Sequence, residues 1–307
     1  MIAAAGAVSL LHQIKDLIPL SLRGYWWAPA AKLVRSPWLW ATVLGIFALE
    51  KLIPADRRQK LWSRGALEDF GWFWLQTAFV VLAVPPFAQL GQNLYNSVTG
   101  GHGIITAMAP WPLGIRIAIA VIVVDFITWV HHWIRHRRLL WPFHAIHHSQ
   151  RELNQFTDLR FHFVDLLAGY AVLLVPAYAL QLAPDTFVAI VIARAAQARL
   201  IHANVRTNFG PLRHVLVSPQ FHRIHHSVEP RHQGRNFGNI FTVWDRIFGT
   251  MYPHYDEYPQ TGLPGVEFAV GRTGPGRIPV AIGSQLLYPF RELAGMIRSI
   301  KARRIAD

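Results

Sequence analysis

The chain has 307 residues, 52% of them hydrophobic and 15% charged, where soluble domains average about 25% charged. It contains no Cys, which excludes disulfides, thiolate metal sites, iron–sulfur clusters and Cys nucleophiles. Its formal net charge is +13, and a basic, apolar chain points to a membrane bearing anionic headgroups and not to nucleic acid.

Residues 1–35 are mixed in character and predict an interfacial helix from Ile2 to Leu22, with no clear signal peptide. Five apolar runs follow. Trp38 to Leu52 is fringed by Trp38 and Trp40, and Trp72 to Leu90 is interrupted by Pro85-Pro86. Ile115 to Val130 leads straight into a His cluster, and Leu166 to Leu182 and Thr186 to Ala198 form a hairpin about Ala183-Pro184-Asp185. The expectation is an all-α integral membrane protein with four to five transmembrane helices. The connection 51–66 carries Lys51, Arg57, Arg58, Lys60 and Arg64, whereas the connection 91–111 carries no Lys or Arg. By the positive-inside rule the first loop is cytoplasmic, which brings every His cluster to the cytoplasmic face. The central unit is expected to run from 36 to 254. A Gly/Pro-rich tail, 255–307, follows and ends in a surface helix from Val280 to Met296.

The 16 His are clustered. They form His131-His132-x-x-x-His136, His144-x-x-His147-His148 and His222-x-x-His225-His226, with His162 and His202 between them. On a helix, residues i, i+3 and i+4 share a narrow arc, so each cluster aims its imidazoles into one space. At this chain's His frequency one His-x-x-His-His is expected about 0.04 times by chance, and there are two. Eight to ten imidazoles exceed the ligand count of one ion, so two metals are expected. Imidazole suits zinc, copper, iron and nickel alike. Asp125 lies seven residues before His132 on nearly the same helical face, as an orienting partner for a ligand ring would. Glu152 and Asp158 are candidate bases for the alternative of a zinc hydrolase. A metal transporter is a weaker alternative, because transporter ligands sit near the bilayer midplane.

These motifs resemble the fatty acid hydroxylase/sterol desaturase superfamily. Asp125-Phe126, Trp129 and His132-x-x-x-His136 look like its first box, and Leu140-Trp141-x-Phe143-His144-x-x-His147-His148-Ser149 like its second. Asn154, Arg160-x-His162 and His202-x-Asn204 match elements between the boxes. Pro219-x-x-His222-Arg223-Ile224-His225-His226-Ser227, Asn236-Phe237-Gly238 and Trp244-Asp245-Arg246-x-Phe248-Gly249-Thr250 look like the third box and its closing signature. The pattern departs at Thr128 and Val130, where aromatics are expected, and at Phe163 and Asp165, where Pro and Glu are common.

The resemblance implies a membrane-helix bundle under a cytoplasmic helical cap that holds two iron ions, with zinc able to replace iron on purification. It implies O₂-dependent hydroxylation or desaturation of a lipid. The metal ligands would be His132, His136, His144, His147, His148, His202, His222, His225, His226 and His162, with Asp125, Asn204 and Asp245 orienting them. By their place beside the boxes, Arg160 and Arg223 are expected either to contact a lipid headgroup or a redox partner or to be snorkelling surface arginines. The chain has no haem-attachment motif, nucleotide-binding Gly motif or Cys, so electrons are expected from a separate reductase or small carrier. The expected location is a bacterial inner membrane or the endoplasmic reticulum, among membrane lipids.

Overall fold

The computed structural model describes residues 37–102, 110–180, 184–266, 268 and 278–306. The N-terminal segment with its expected interfacial helix lies outside them. The helices are α1 Pro37–Leu52, α2 Arg64–Thr99, α3 Leu113–Arg135, α4 Trp141–His148, α5 Phe163–Ala179, α6 Pro184–His202, α7 Pro219–His225, α8 Val243–Ile247 and α9 Ile278–Ala306. Among the described residues there is no strand, only isolated bridges such as Leu216 with Phe241.

Local chemistry sets the helix limits. The Ser63 hydroxyl accepts the Ala66 N–H at 3.1 Å to start α2, and Gly100 ends it with φ of 67°. Within α2 the axis bends by 43° between Arg64–Val80 and Leu82–Thr99. Pro85 and Pro86 cause this, since neither can return an N–H to the carbonyl four residues back. The two short box helices begin alike. Pro142 in α4 and Pro219 in α7 occupy the first turn, where a missing N–H costs nothing. In α7 the Ser218 hydroxyl also accepts the Phe221 N–H at 3.2 Å. Each box helix is about two turns long, enough to present positions i, i+3 and i+4 and little else.

Five helices stand where five apolar runs were expected. Among the described residues, by length and composition only Gly114–Arg135 within α3 can cross a membrane alone, and the bent α2 makes a second if taken as one span. This is fewer than the four to five expected. Helix α1 has 16 residues and α5 has 17, short of the roughly 20 that a span needs. Helix α3 packs on α5, α5 on α2, and α6 on α7.

The C-terminal helix is longer and better anchored than a surface helix. It packs on α4 and α2. Trp72 and Ile146 are buried against Ile282, and the Trp72 Nε1–H donates to Gln285 Oε1 at 2.9 Å. Arg160 ties the cap to α2. Its guanidinium meets Glu68 at 2.7 Å and Asp69 at 2.9 Å, and its Nε–H donates to the Ile146 carbonyl at 3.0 Å. It is buried and fully engaged, so it faces neither headgroup nor partner as expected. Arg223 is likewise buried and donates to the Pro259 carbonyl at 2.9 Å.

Candidate metal centre

The core of the cap is polar. Nine imidazoles meet in two groups, each with its ligand nitrogens within 4.8 Å of one another. One group holds His132, His136, His144, His148 and His225, and the other His147, His202, His222 and His226. The boxes divide between them by helical geometry. The i, i+4 pair His144 and His148 goes to the first group, while His147, turned roughly 100° from its neighbour, goes to the second. Helix α7 does the reverse, sending His222 and His226 to the second group and His225 to the first. Adjacent His residues thus straddle the centre.

The donor set fits a pair of metal ions. In the first group all five Nε2 atoms are buried and have no hydrogen-bond partner. Leaving such atoms unpaired costs about 1–3 kcal/mol each. In the second group Nε2 of His202 lies 3.0 Å from that of His147 and 2.9 Å from that of His222, and His226 Nε2 lies 3.2 Å from His222 Nε2. One ring nitrogen has one site for a bond in its plane, so these short contacts cannot all be hydrogen bonds. They match the edges of a coordination polyhedron, since metal–nitrogen bonds of about 2.1 Å set neighbouring donors roughly 3.0–3.4 Å apart.

Four of the nine rings are held by their far nitrogens. His132 Nδ1–H donates to the Phe237 carbonyl at 2.8 Å, His225 Nδ1–H to the Arg235 carbonyl at 2.8 Å, and His202 Nδ1–H to the Ala198 carbonyl at 2.6 Å. His144 Nδ1–H donates to Asp165 Oδ2 at 3.0 Å. Each bond fixes the tautomer that leaves Nε2 free for a metal.

The loop that supplies two of these carbonyls is itself braced. Asn236 is left-handed, with φ of 61°, and lies between the two carbonyls. Its side chain donates to the Phe221 carbonyl at 3.0 Å and accepts the Tyr252 N–H at 2.8 Å. Asp245 accepts the N–H groups of Phe237 at 2.8 Å and Gly238 at 2.7 Å. Asp245 therefore acts on His132 through the backbone of Phe237, not by touching a ring. A Cβ at Gly238 would lie 2.8 Å from the Phe241 carbonyl oxygen and 2.9 Å from Asp245 Oδ2, so only glycine fits.

Other expected site residues stand elsewhere. His162 joins neither group; it caps α5, its Nδ1 accepting the Val164 N–H at 3.1 Å, and its ring packs on Phe143 and Phe290. Asp125 touches no ligand ring. It accepts from the Ile240 and Phe241 amides and from Trp244 Nε1 at 2.9–3.1 Å, holding the closing signature against α3. Seven residues place it two turns, about 10 Å, from His132, which is too far to reach. Asn204 instead bonds the Asp56 segment and, through its amide, Glu50 at 3.1 Å. The orienting residue that the sequence reading missed is Asp165. It also pairs with Arg135 at 2.7 Å. The signal was its place three residues after His162, where the resembled pattern commonly has Glu.

Aromatic rings close the walls. Phe161 stacks on His147 at 4.3 Å, Phe237 lies against His132, His136 and His225, and Trp141 against His136 and His148. Burial, and then the neighbouring imidazoles, hold His144, His147, His148, His222 and His226 well below the usual pKa of 6.5. Burial takes His225 down to about 4. The rings are neutral, the form that ligates a metal.

The fatty acid hydroxylase family profile matches residues 117–250, which contain all nine rings. The chain is 33% identical over 181 residues to the ornithine lipid hydroxylase OlsE of Rhizobium tropici, covering 59% of this chain and 52% of that one. It is 30% identical over 129 residues to the alkylglycerol monooxygenase of Danio rerio and 29% over 129 residues to that of Homo sapiens, covering 42% of this chain and 28% of each relative. The chain thus spans about half the length of the first relative and under a third of the other two. No solved structure matches it. The profile match, the relatives and the ordered boxes identify residues 117–250 as a fatty acid hydroxylase domain.

Proposed function

We propose that the chain is a membrane-bound, O₂-dependent lipid hydroxylase that works at a pair of iron ions. His132, His136, His144, His148 and His225 hold one ion, and His147, His202, His222 and His226 the other. The convergence of nine imidazoles into two adjoining all-nitrogen cages carries this reading. The names of the relatives, hydroxylase and monooxygenase, favour iron over redox-silent zinc. Two ferrous ions there would supply the activation of dioxygen that oxidation of an unactivated C–H bond requires.

The chain's own residues do the rest. Five and four imidazoles are fewer than the roughly six ligands iron accepts, which leaves room for exogenous groups. Asp165 and the carbonyls of Ala198, Arg235 and Phe237 orient rings, and Phe161, Phe237 and Trp141 exclude water. The exposed apolar residues Trp38, Leu44, Leu82, Leu94, Ile122 and Val175 on α1, α2, α3 and α5 support contact with lipid. The basic 51–66 loop supports a cytoplasmic centre. Electrons come from a separate reductase or small carrier, since the chain has no Cys or recognisable redox-cofactor motif.

A zinc hydrolase reading lacks a base. Among the described residues no carboxylate belongs to either cage. Glu152 is engaged by the Gly65 N–H at 3.0 Å, and Asp158 stands 3.7 Å from Arg199. The test is lipid mass spectrometry of cells with and without the gene under ¹⁸O₂. A lipid carrying label is expected. No oxygenated lipid, or a hydrolysis product formed without O₂, overturns the reading.

A further inference from the structure

The first cage comes nearest the surface at one place. Of the nine rings only His136 is not fully buried. Beside it the half-buried Trp141 ring lies 5.0 Å from the His136 ring and 5.2 Å from that of His148, centroid to centroid. One indole thus joins solvent to two rings of the first cage. His148 also borders the second cage, where its ring stacks on that of His226.

The turn that carries the chain from α3 to Trp141 is firm. The Arg137 carbonyl accepts the N–H groups of Leu140 and Trp141, both at 2.9 Å, and the Arg137 N–H donates to the Ile134 carbonyl at 2.9 Å. Its outer face is apolar and basic. Ile134, Leu139 and Leu140 are exposed, Leu139 by 69%. Arg137 and Arg138 are exposed as well. The Arg137 guanidinium lies 3.5 Å over the Trp133 ring, and among the described residues neither arginine side chain forms an ion pair or hydrogen bond. No Asp or Glu occurs from 126 to 151. Asp125, bonded to the 240–244 segment of the cap, precedes His136 by about 16 Å along α3, so the turn rises above the level at which α3 enters the cap.

We propose that the 134–141 turn docks an acidic one-electron carrier protein. Arg137 and Arg138 pair with its carboxylates, Leu139 and Leu140 cover its apolar centre, and Trp141 leads the electron to His136 and His148. This rests on the di-iron reading and deepens it. The carrier loses one electron to a ferric ion of the first cage, which becomes ferrous; no bond forms or breaks. Two such transfers supply the two electrons of a turnover. A small patch rimmed by unpaired charges suits a carrier that leaves after each transfer, since redox encounters bury less than about 1,200 Å² and are sped by charge steering. An anionic lipid surface also fits these charges, but the path through one ring to the cage favours the carrier.

The test uses the iron-loaded full chain in uncharged detergent, with a plant-type [2Fe–2S] ferredoxin as the acidic probe and cytochrome c as a basic one. Binding is measured by surface plasmon resonance, and reduction of the ferric chain by stopped flow without O₂. The wild type is expected to bind ferredoxin and not cytochrome c, more weakly as salt rises. R137E/R138E is expected to weaken that binding at least about tenfold and to slow reduction by subsaturating ferredoxin as much. Its iron content, and its reduction by methyl viologen, which needs no docking, are expected to stay at wild-type values. R57E/R58E, the same reversal in the 51–66 loop, is expected to change neither binding nor reduction. W141L is expected to bind ferredoxin normally and to be reduced more slowly even at saturation, and W141F to regain most of the rate.

A wild type that ignores ferredoxin, equal losses in both double variants, unchanged binding in R137E/R138E or an unchanged rate in W141L overturns the inference. So does weaker binding of R137E/R138E to phosphatidylglycerol vesicles with ferredoxin binding intact, which would mark a lipid surface. Iron loss from R137E/R138E and from the milder R137Q/R138Q would mark the turn as structural and overturn it as well. Reduction that depends on Arg137 and Arg138 without any labelled lipid would leave this inference standing and remove the hydroxylase reading; labelled lipid from a chain whose reduction ignores the turn would do the reverse.

Discussion

The imidazole of His148 lies flat on that of His226, their centroids 4.2 Å apart and their planes 16° from parallel. The two rings belong to different cages. Their stack is the seam of the centre, where one box helix hands over to the other.

The seam makes the two cages separable by mutation. H148A leaves four nitrogens around the first ion, whereas H226A leaves three around the second. H226A is expected to bind about one iron per chain, and H148A closer to two with a looser first ion. Iron content and the Mössbauer spectra of ⁵⁷Fe-loaded variants check this. Equal loss of both ions in both variants would mean the cages act as one unit.

His162 separates the family pattern from this chain's geometry. As a cap of α5 it contributes about 1 kcal/mol, and as a ligand it would control iron. H162N, which keeps a side-chain acceptor, is expected to retain full iron content and nearly full stability. H162A is expected to retain iron and lose roughly 1–2 kcal/mol. Loss of iron from H162N would restore it to the ligand set.

Asp165 is expected to matter more than its place outside the cages suggests. D165N removes the charge behind His144 and also frees Arg135. Loss of such an orienting partner costs 10- to 100-fold in metal affinity. The measurement is iron release to a chelator over time, which should quicken in D165N and quicken less in D165E.

Much of this centre was legible in the sequence. The spacing of His144, His147 and His148, repeated at His222, His225 and His226, is a local property of a helix and survives folding unchanged. The division of each box between two cages was not legible, because it depends on how α4 docks against α7. Asp125 misled for the same reason: sharing a helical face with His132 says nothing of the two turns between them. Asp165 was hidden because its partner lies 21 residues away on another helix. The short α1 and α5 read as spans because hydropathy alone does not fix helix length.

Acid should unfold the metal-free chain early. The box imidazoles stay neutral in the fold, with His225 held to about 4, but take protons near 6.5 once unfolded. Between those values the unfolded chain binds more protons, so stability falls as pH drops from about 6.5 towards 4. The melting temperature of the metal-free chain is expected to be lower at pH 5.5 than at pH 7.5, and iron loading should raise it at both. A flat profile would mean the rings are already protonated in the fold.

Iron K-edge X-ray absorption on the anaerobically purified, iron-loaded chain, with metal content measured on the same sample, tests the central claim most directly. Two iron ions per chain, each in a first shell of imidazole nitrogens with no protein carboxylate, is the predicted result. A single ion per chain, or a shell rich in carboxylate oxygen, would contradict it.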